Sequence, residues 1–168
     1  MKKVVQFINS ISEYSGRVVM WAVIALIVVL CYEVIARYAF NSPTIWALET
    51  SEMLGGVIGV LGWGYTYLHH GHVRVDVMYV RLPPRGKALV DVVMALIFLF
   101  PLVGILISSG ISWAATSLAT GEKMVESSWL PPAAPFRIVI AAGFCFFALQ
   151  CVARFITDLH LLIKKSEL

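Results

Sequence analysis

The stretch Val18-Val19-Met20-Trp21-Ala22-Val23-Ile24-Ala25-Leu26-Ile27-Val28-Val29-Leu30-Cys31-Tyr32 decides the fold. It carries no charge, and the apolar block of which it is part runs over residues 18–35, broken only near its end by Glu33. At ~1.5 Å per residue such a helix crosses a ~30 Å hydrocarbon core if Glu33 lies near the far interface. Composition points the same way. Sixty per cent of the 168 residues are hydrophobic and 14% are charged, against roughly 25% charged in a soluble domain. So few charges cannot coat a soluble protein of this size.

Outward from that block, three more apolar segments follow. Together they predict an all-α integral membrane protein with four transmembrane helices and one membrane domain. The expected spans are about 16–36, 46–69, 87–116 and 135–158. Residues ~37–50 form an interfacial segment with a short helix, ~70–86 a cytoplasmic linker and ~117–134 a periplasmic loop. Lys2 and Lys3 precede the first block as in a signal peptide. No small-x-small cleavage site follows it, so an uncleaved signal anchor is expected.

Several residues mark the segment boundaries. Ser42-Pro43 reads as a helix start, serine capping and proline at the first helical position. Tyr38, Phe40 and Trp46 are placed like an interfacial aromatic belt. Glu33 and Arg37 are four apart in the favourable order for a helical pair, and Glu49 and Glu52 share one face and could meet Arg37 across the first loop. Gly55, Gly59 and Gly62 belong to a glycine-rich second block, and Gly55/Gly59 make a GxxxG suited to close helix packing in lipid. Asp91 is expected to pair with Arg85 or Lys87. Pro101 predicts a kink in the third block.

Lys and Arg divide unevenly between alternate compartments. Lys2, Lys3, Arg17, Arg74, Arg81, Arg85, Lys87, Arg154, Lys164 and Lys165 fall on one side; Arg37, Lys123 and Arg137 fall on the other. The positive-inside rule puts the first side, with both termini, in the cytoplasm.

Little here carries catalytic or metal chemistry. His69, His70 and His72 invite a metal reading, but no cysteine accompanies them and Asp76 is the only nearby carboxylate. A metal site needs convergent ligands with a second shell, so polar residues at a membrane interface are the favoured reading. Cys31, Cys145 and Cys151 sit within or at the ends of apolar blocks without a CxxC, as small hydrophobes do. Ser108, Ser109 and Ser112 are expected to bond back to their own helix. There is no phosphate-binding glycine loop, HExxH or haem CxxCH. The reading is a non-enzyme with no cofactor, no metal and no nucleic-acid partner. A net charge of +3 is too small and scattered for the last.

One series adds more. Glu33-Val-Ile-Ala-Arg37-Tyr38-Ala-Phe40-Asn-Ser-Pro43, then Trp46-Ala-Leu-Glu49-Thr-Ser-Glu52, Leu61-Gly62, His72-Val-Arg74-Val-Asp76 and Leu82-Pro83 resembles the small membrane subunit of tripartite ATP-independent periplasmic (TRAP) transporters, the DctQ-like family. The resemblance implies a bacterial inner-membrane protein whose partners are a large M-type membrane subunit, a periplasmic substrate-binding protein and membrane lipids. The large subunit is expected to be elevator-like and to hold the substrate and the coupling sodium ions. Because this chain ends soon after the fourth block, that subunit is expected to be a separate chain. The substrate class implied is an organic acid such as a dicarboxylate or sialic acid. This chain is then a scaffold that binds no substrate itself, and its outer loops are expected to help dock the binding protein through Glu49, Glu52 and Lys123.

Three rivals stand beside this reading. A self-contained four-helix transporter would carry a carboxylate mid-helix. A membrane thiol–disulfide enzyme would need paired periplasmic cysteines. An accessory subunit of another membrane complex is the third.

Overall fold

The structure is a computed structural model and describes residues 2–69, 71, 79, 82–125 and 128–164. Among these the chain is helical apart from short links and one isolated β-bridge, Lys123 to Pro132. The helices are α1 (Lys2–Tyr38), α2 (Ala47–Leu68), α3 (Pro84–Met94), α4 (Phe100–Thr120) and α5 (Ala134–Lys164). A π-helical turn over Ala95–Leu99 joins α3 and α4 into one rod.

Three of these rods are long and apolar enough to cross a membrane: Lys2–Tyr38, Arg85–Thr120 and Ala134–Ile163. α2, at 22 residues, reaches ~33 Å, but its glycines and its acidic first turn dilute its apolarity. The outer surface is the reverse of a soluble protein's. Phe7, Trp21, Phe98 and Ile105 are each more than 60% exposed. In water such a surface is an aggregation hazard, whereas hydrocarbon accepts it without penalty.

α5 is the hub, packing against α1, α2, α3 and α4, while α1 also packs along α2. α1 and α2 are antiparallel: Tyr32 stacks on Trp46 at one end, and Glu13 meets His69 at the other. α4 and α5 are antiparallel too, with Arg137 over Trp113 near one end and Phe100 against Phe155 near the other. The centre is a cluster of Val103, Phe147 and Cys151, ringed by Tyr67, Leu99, Phe100, Ile107 and Ala148. Cys151 thus acts as a buried hydrophobe, and Cys31, Cys145 and Cys151 are all free thiols.

The link between α1 and α2 corrects one expectation. No short helix forms over residues 39–46, so Ser42-Pro43 starts none; α2 begins at Ala47 with Trp46 at its N-cap, one residue from the expected start of the second span. The cause is local. Asn41 has φ 47°, a left-handed conformation that ends a helix. The Ser42 N–H turns back to the Ala36 carbonyl at 3.0 Å, and Pro43 has no N–H to offer a new helix.

α1 also begins well before its apolar block. Ile8, Ser12 and Ser15 form a buried face on this early part, so packing against the neighbouring helices holds as helix a stretch too polar for the hydropathy pattern to claim.

Pro101 is accommodated without a broken helix. It cannot donate to the carbonyl four residues back, and its ring would crowd that carbonyl. Widening the preceding turn resolves both, as the Phe100 N–H reaching five residues back to Ala95 shows. At the far end, Gly121 caps α4 with φ 62° and open space around its α-carbon. Gly121→Ala is therefore expected to cost about 1 kcal/mol from backbone conformation alone, read as a small fall in thermal midpoint with unchanged helix content.

Candidate functional site

Two polar latches organise one end of the bundle. In the first, Glu33 near the end of α1 takes Arg37 through the guanidinium Nε at 3.0 Å, the expected pair. Its other carboxylate oxygen accepts the Thr44 N–H at 3.2 Å and the Thr44 hydroxyl. One carboxylate thus ties the helix to the link beyond Pro43, and the stack of Tyr32 on Trp46, with ring centroids 5.8 Å apart, closes the same turn. Tyr38 and Phe40 project freely at 81% and 74% exposure, as interfacial aromatics do.

The second latch closes the loop before α5. Arg137 donates from both terminal nitrogens to the two carboxylate oxygens of Glu122, one bond at 2.6 Å. Its guanidinium also lies 4.2 Å from the Trp113 ring centre. The loop backbone adds Met124 N–H to Pro131 O at 2.8 Å and Ala133 N–H to Glu122 O at 3.0 Å. Hydrogen bonding to Arg137 holds the Glu122 carboxyl below its usual value, partly offset by desolvation. A carboxylate with a depressed folded value supports the fold above its unfolded value and loses that support as pH falls through the folded one. Acidification below about pH 4.5 is therefore expected to loosen residues 121–125 and 128–133 before the helices melt, read as faster amide exchange there and not in the helices.

The remaining predicted residues separate. Glu49 and Glu52, three apart on α2, do not share an environment: Glu49 is fully buried and Glu52 is exposed. Glu49 therefore belongs to the interior and is withdrawn from the docking surface expected of it. Among the described residues the Gly55/Gly59 pair is also not a seam, since a Cβ added at either would meet nothing within 4 Å, and one at Gly62 would touch Val19 alone, at 3.9 Å. Among the glycines that do admit a neighbouring helix are Gly16 beneath Tyr65, Gly56 beneath Phe136, Gly64 against Ser12 and the Phe146 backbone, Gly110 beneath Phe144 and Gly143 beneath Val60. Pro83 caps α3, and the Leu82 N–H bonds to Tyr79 O at 3.1 Å. Asp91 accepts a bond from the Tyr79 hydroxyl at 2.6 Å, and Lys87 lies over the Tyr79 ring. His72, Arg74 and Asp76 lie outside the described residues, as does His70.

At the opposite end, sequence reading missed a buried polar triad. The Ser12 hydroxyl donates to Gln150 Oε1 at 2.7 Å, and Gln150 Nε2 donates to Asn9 Oδ1 at 3.1 Å. It pins α1 to α5. The signal was available: Gln150 is an uncharged polar residue inside the fourth apolar block, where an unbonded amide is costly. Nearby, His69 meets Glu13 at 2.7 Å and Arg154 pairs with Asp158. Ser108 bonds back to the Ile105 carbonyl, as expected.

These features are those of a polytopic helical membrane protein whose polar groups are spent on holding helices and loops together. Residues 26–161 match the family model described as "Tripartite ATP-independent periplasmic transporters, DctQ component", and the chain belongs to that family. A curated relative, the sialic acid TRAP transporter permease protein SiaT of Haemophilus influenzae (strain 86-028NP), is 26% identical over 152 residues, 88% of this chain. The match covers 23% of that relative, so this chain spans under a quarter of its length.

Proposed function

We propose that this chain is the small permease subunit of a TRAP transporter, a non-catalytic scaffold that binds and stabilises a large elevator-type membrane subunit. The family match over residues 26–161 carries this reading. The relative's name adds to it: that protein is a TRAP permease for sialic acid, and most of its length lies outside the match. In this reading the substrate is an organic acid, of the dicarboxylate or sialic acid class. Substrate and sodium ions are held by the large subunit, and uptake is sodium-coupled. The chain sits in the bacterial inner membrane with four spans, α2 being the second, and both termini in the cytoplasm. That sidedness rests on the ten-to-three division of Lys and Arg.

The test is gentle extraction of the tagged chain from its native membrane with mass spectrometry of what accompanies it. Recovery of a much larger polytopic protein in equal amount supports the reading. A lone monomer or self-dimer in several detergents overturns it and favours a self-contained small transporter.

The outer end is proposed to help dock the periplasmic binding protein. Glu52 and Lys123 are exposed there, whereas Glu49 is not. Reversing both charges, Glu52→Lys with Lys123→Glu, is expected to weaken docking severalfold at low salt, with less effect at high salt. Unchanged uptake and docking would remove this role.

A further inference from the structure

α1 and α2 leave a groove open along one flank. Gly59 and Gly62 give it depth, and Val19, Met20, Ile58 and Trp63 are among its walls. These residues lie in or beside the apolar run of α1 and the apolar middle of α2, the part of the surface that faces hydrocarbon. A bilayer leaves no void against such a surface; acyl chains or another helix fill it.

The end of the groove says which. Arg17 lines it there, immediately before the apolar run begins. Arg17 is exposed and, among the described residues, makes no hydrogen bond or ion pair. The carboxylate that would suit it, Glu13 one turn earlier, is held by His69 at 2.7 Å. A second, polar groove opens at the same place, lined by Asn9, Ser10, Glu13, Tyr14, Arg17 and His69. Arg17 thus stands at the junction of an apolar slot and a polar one. Tyr14, Trp63 and Tyr65 sit at this level, as aromatics do at the headgroup layer.

We propose that this cleft is a phospholipid site. One acyl chain lies between α1 and α2 over Gly59 and Gly62, and the phosphate rests on Arg17 with the headgroup toward Asn9 and Ser10. A partner helix would have to bring its own carboxylate to the depth of Arg17, whereas a phospholipid carries its phosphate at that depth already. Basic pockets between helices at the positively charged face of a membrane select anionic lipids in this way. The site concerns the chain's own lipid contacts and stands whether or not a large subunit proves to be its partner.

The experiment uses the purified full-length chain in mild detergent, titrated with phosphatidylglycerol or phosphatidylcholine. Lipid retention is read by native mass spectrometry and the thermal midpoint by scanning. Wild type is expected to retain one phospholipid and to be raised more by phosphatidylglycerol. Arg17→Gln should lower retention about fivefold and remove the headgroup preference. Gly59→Leu, which adds its side chain to open space, should block the slot. Gly55→Leu, also in open space but not lining the groove, should behave as wild type. Equal retention by wild type, Arg17→Gln and Gly59→Leu overturns the proposal. So does Gly59→Leu releasing a co-purifying protein while lipid retention persists, which would make a partner helix the occupant.

Discussion

Gly143→Val is expected to lower the thermal midpoint of the purified chain by about 5–10 °C, the effect of roughly 2–3 kcal/mol of overpacking in a chain this long. A Cβ at this position would lie 2.5 Å from Val60 Cγ1 and 3.4 Å from Leu61 Cδ2. Val60 is β-branched and holds one rotamer on a helix, so it cannot swing aside. The clash must instead separate α2 from α5, the hub of the bundle. Gly55→Val is the control, because a side chain there meets nothing within 4 Å; its midpoint should stay within about 2 °C of wild type. Equal losses in the two variants would mean that α2 and α5 do not approach as described.

Arg137→Ala is expected to unfasten the loop between α4 and α5. The substitution removes the bidentate contact to Glu122 and the cation–π contact to Trp113 together. The aromatic part alone is worth up to ~2 kcal/mol where the cation is shielded, and the Arg137 side chain is only 11% exposed. Amide exchange over residues 121–125 and 128–133 should accelerate while α1 and α2 stay protected. Arg137→Lys should restore little, since an ammonium cannot make the planar two-pronged contact. If exchange in the loop is unchanged in the alanine variant, the backbone bonds of Met124 and Ala133 hold the loop alone.

The all-helical character was legible from the apolar runs because hydrocarbon-facing helices need many apolar residues in unbroken sequence, and residues 18–35 announce one by composition alone. The Glu33–Arg37 pair was legible too, since both ends of the contact lie one turn apart. What could not be read were choices made by distant neighbours. α2 carries Gly55, Gly56, Gly59, Gly62 and Gly64, and nothing local says that Phe136 settles over Gly56 while Gly55 and Gly59 stay open. Glu49 and Glu52 looked equivalent at one-turn spacing, and only the packing of other helices buries the first. The short interfacial helix was wrongly expected because Ser42-Pro43 fits a helix start by residue type, whereas the left-handed turn at Asn41 and the pull of Glu33 on Thr44 carry the chain past it without a helical turn.

The π-helical turn before Pro101 has a practical bearing on how mutations in this protein should be laid out. A helical wheel assigns every residue a fixed angle of about 100°. Drawn through the whole Arg85–Thr120 rod, it is out of phase by about one residue beyond Leu99, because the wide turn absorbs an extra one. Residues that look coplanar on paper, such as Asp91 near the start and Ser109 toward the end, are then assigned to the same side wrongly. Cysteine-accessibility or tryptophan scans should index the two halves as separate wheels. Deleting one residue within Ala95–Leu99 would restore a uniform rod only by swivelling one half of it against the other.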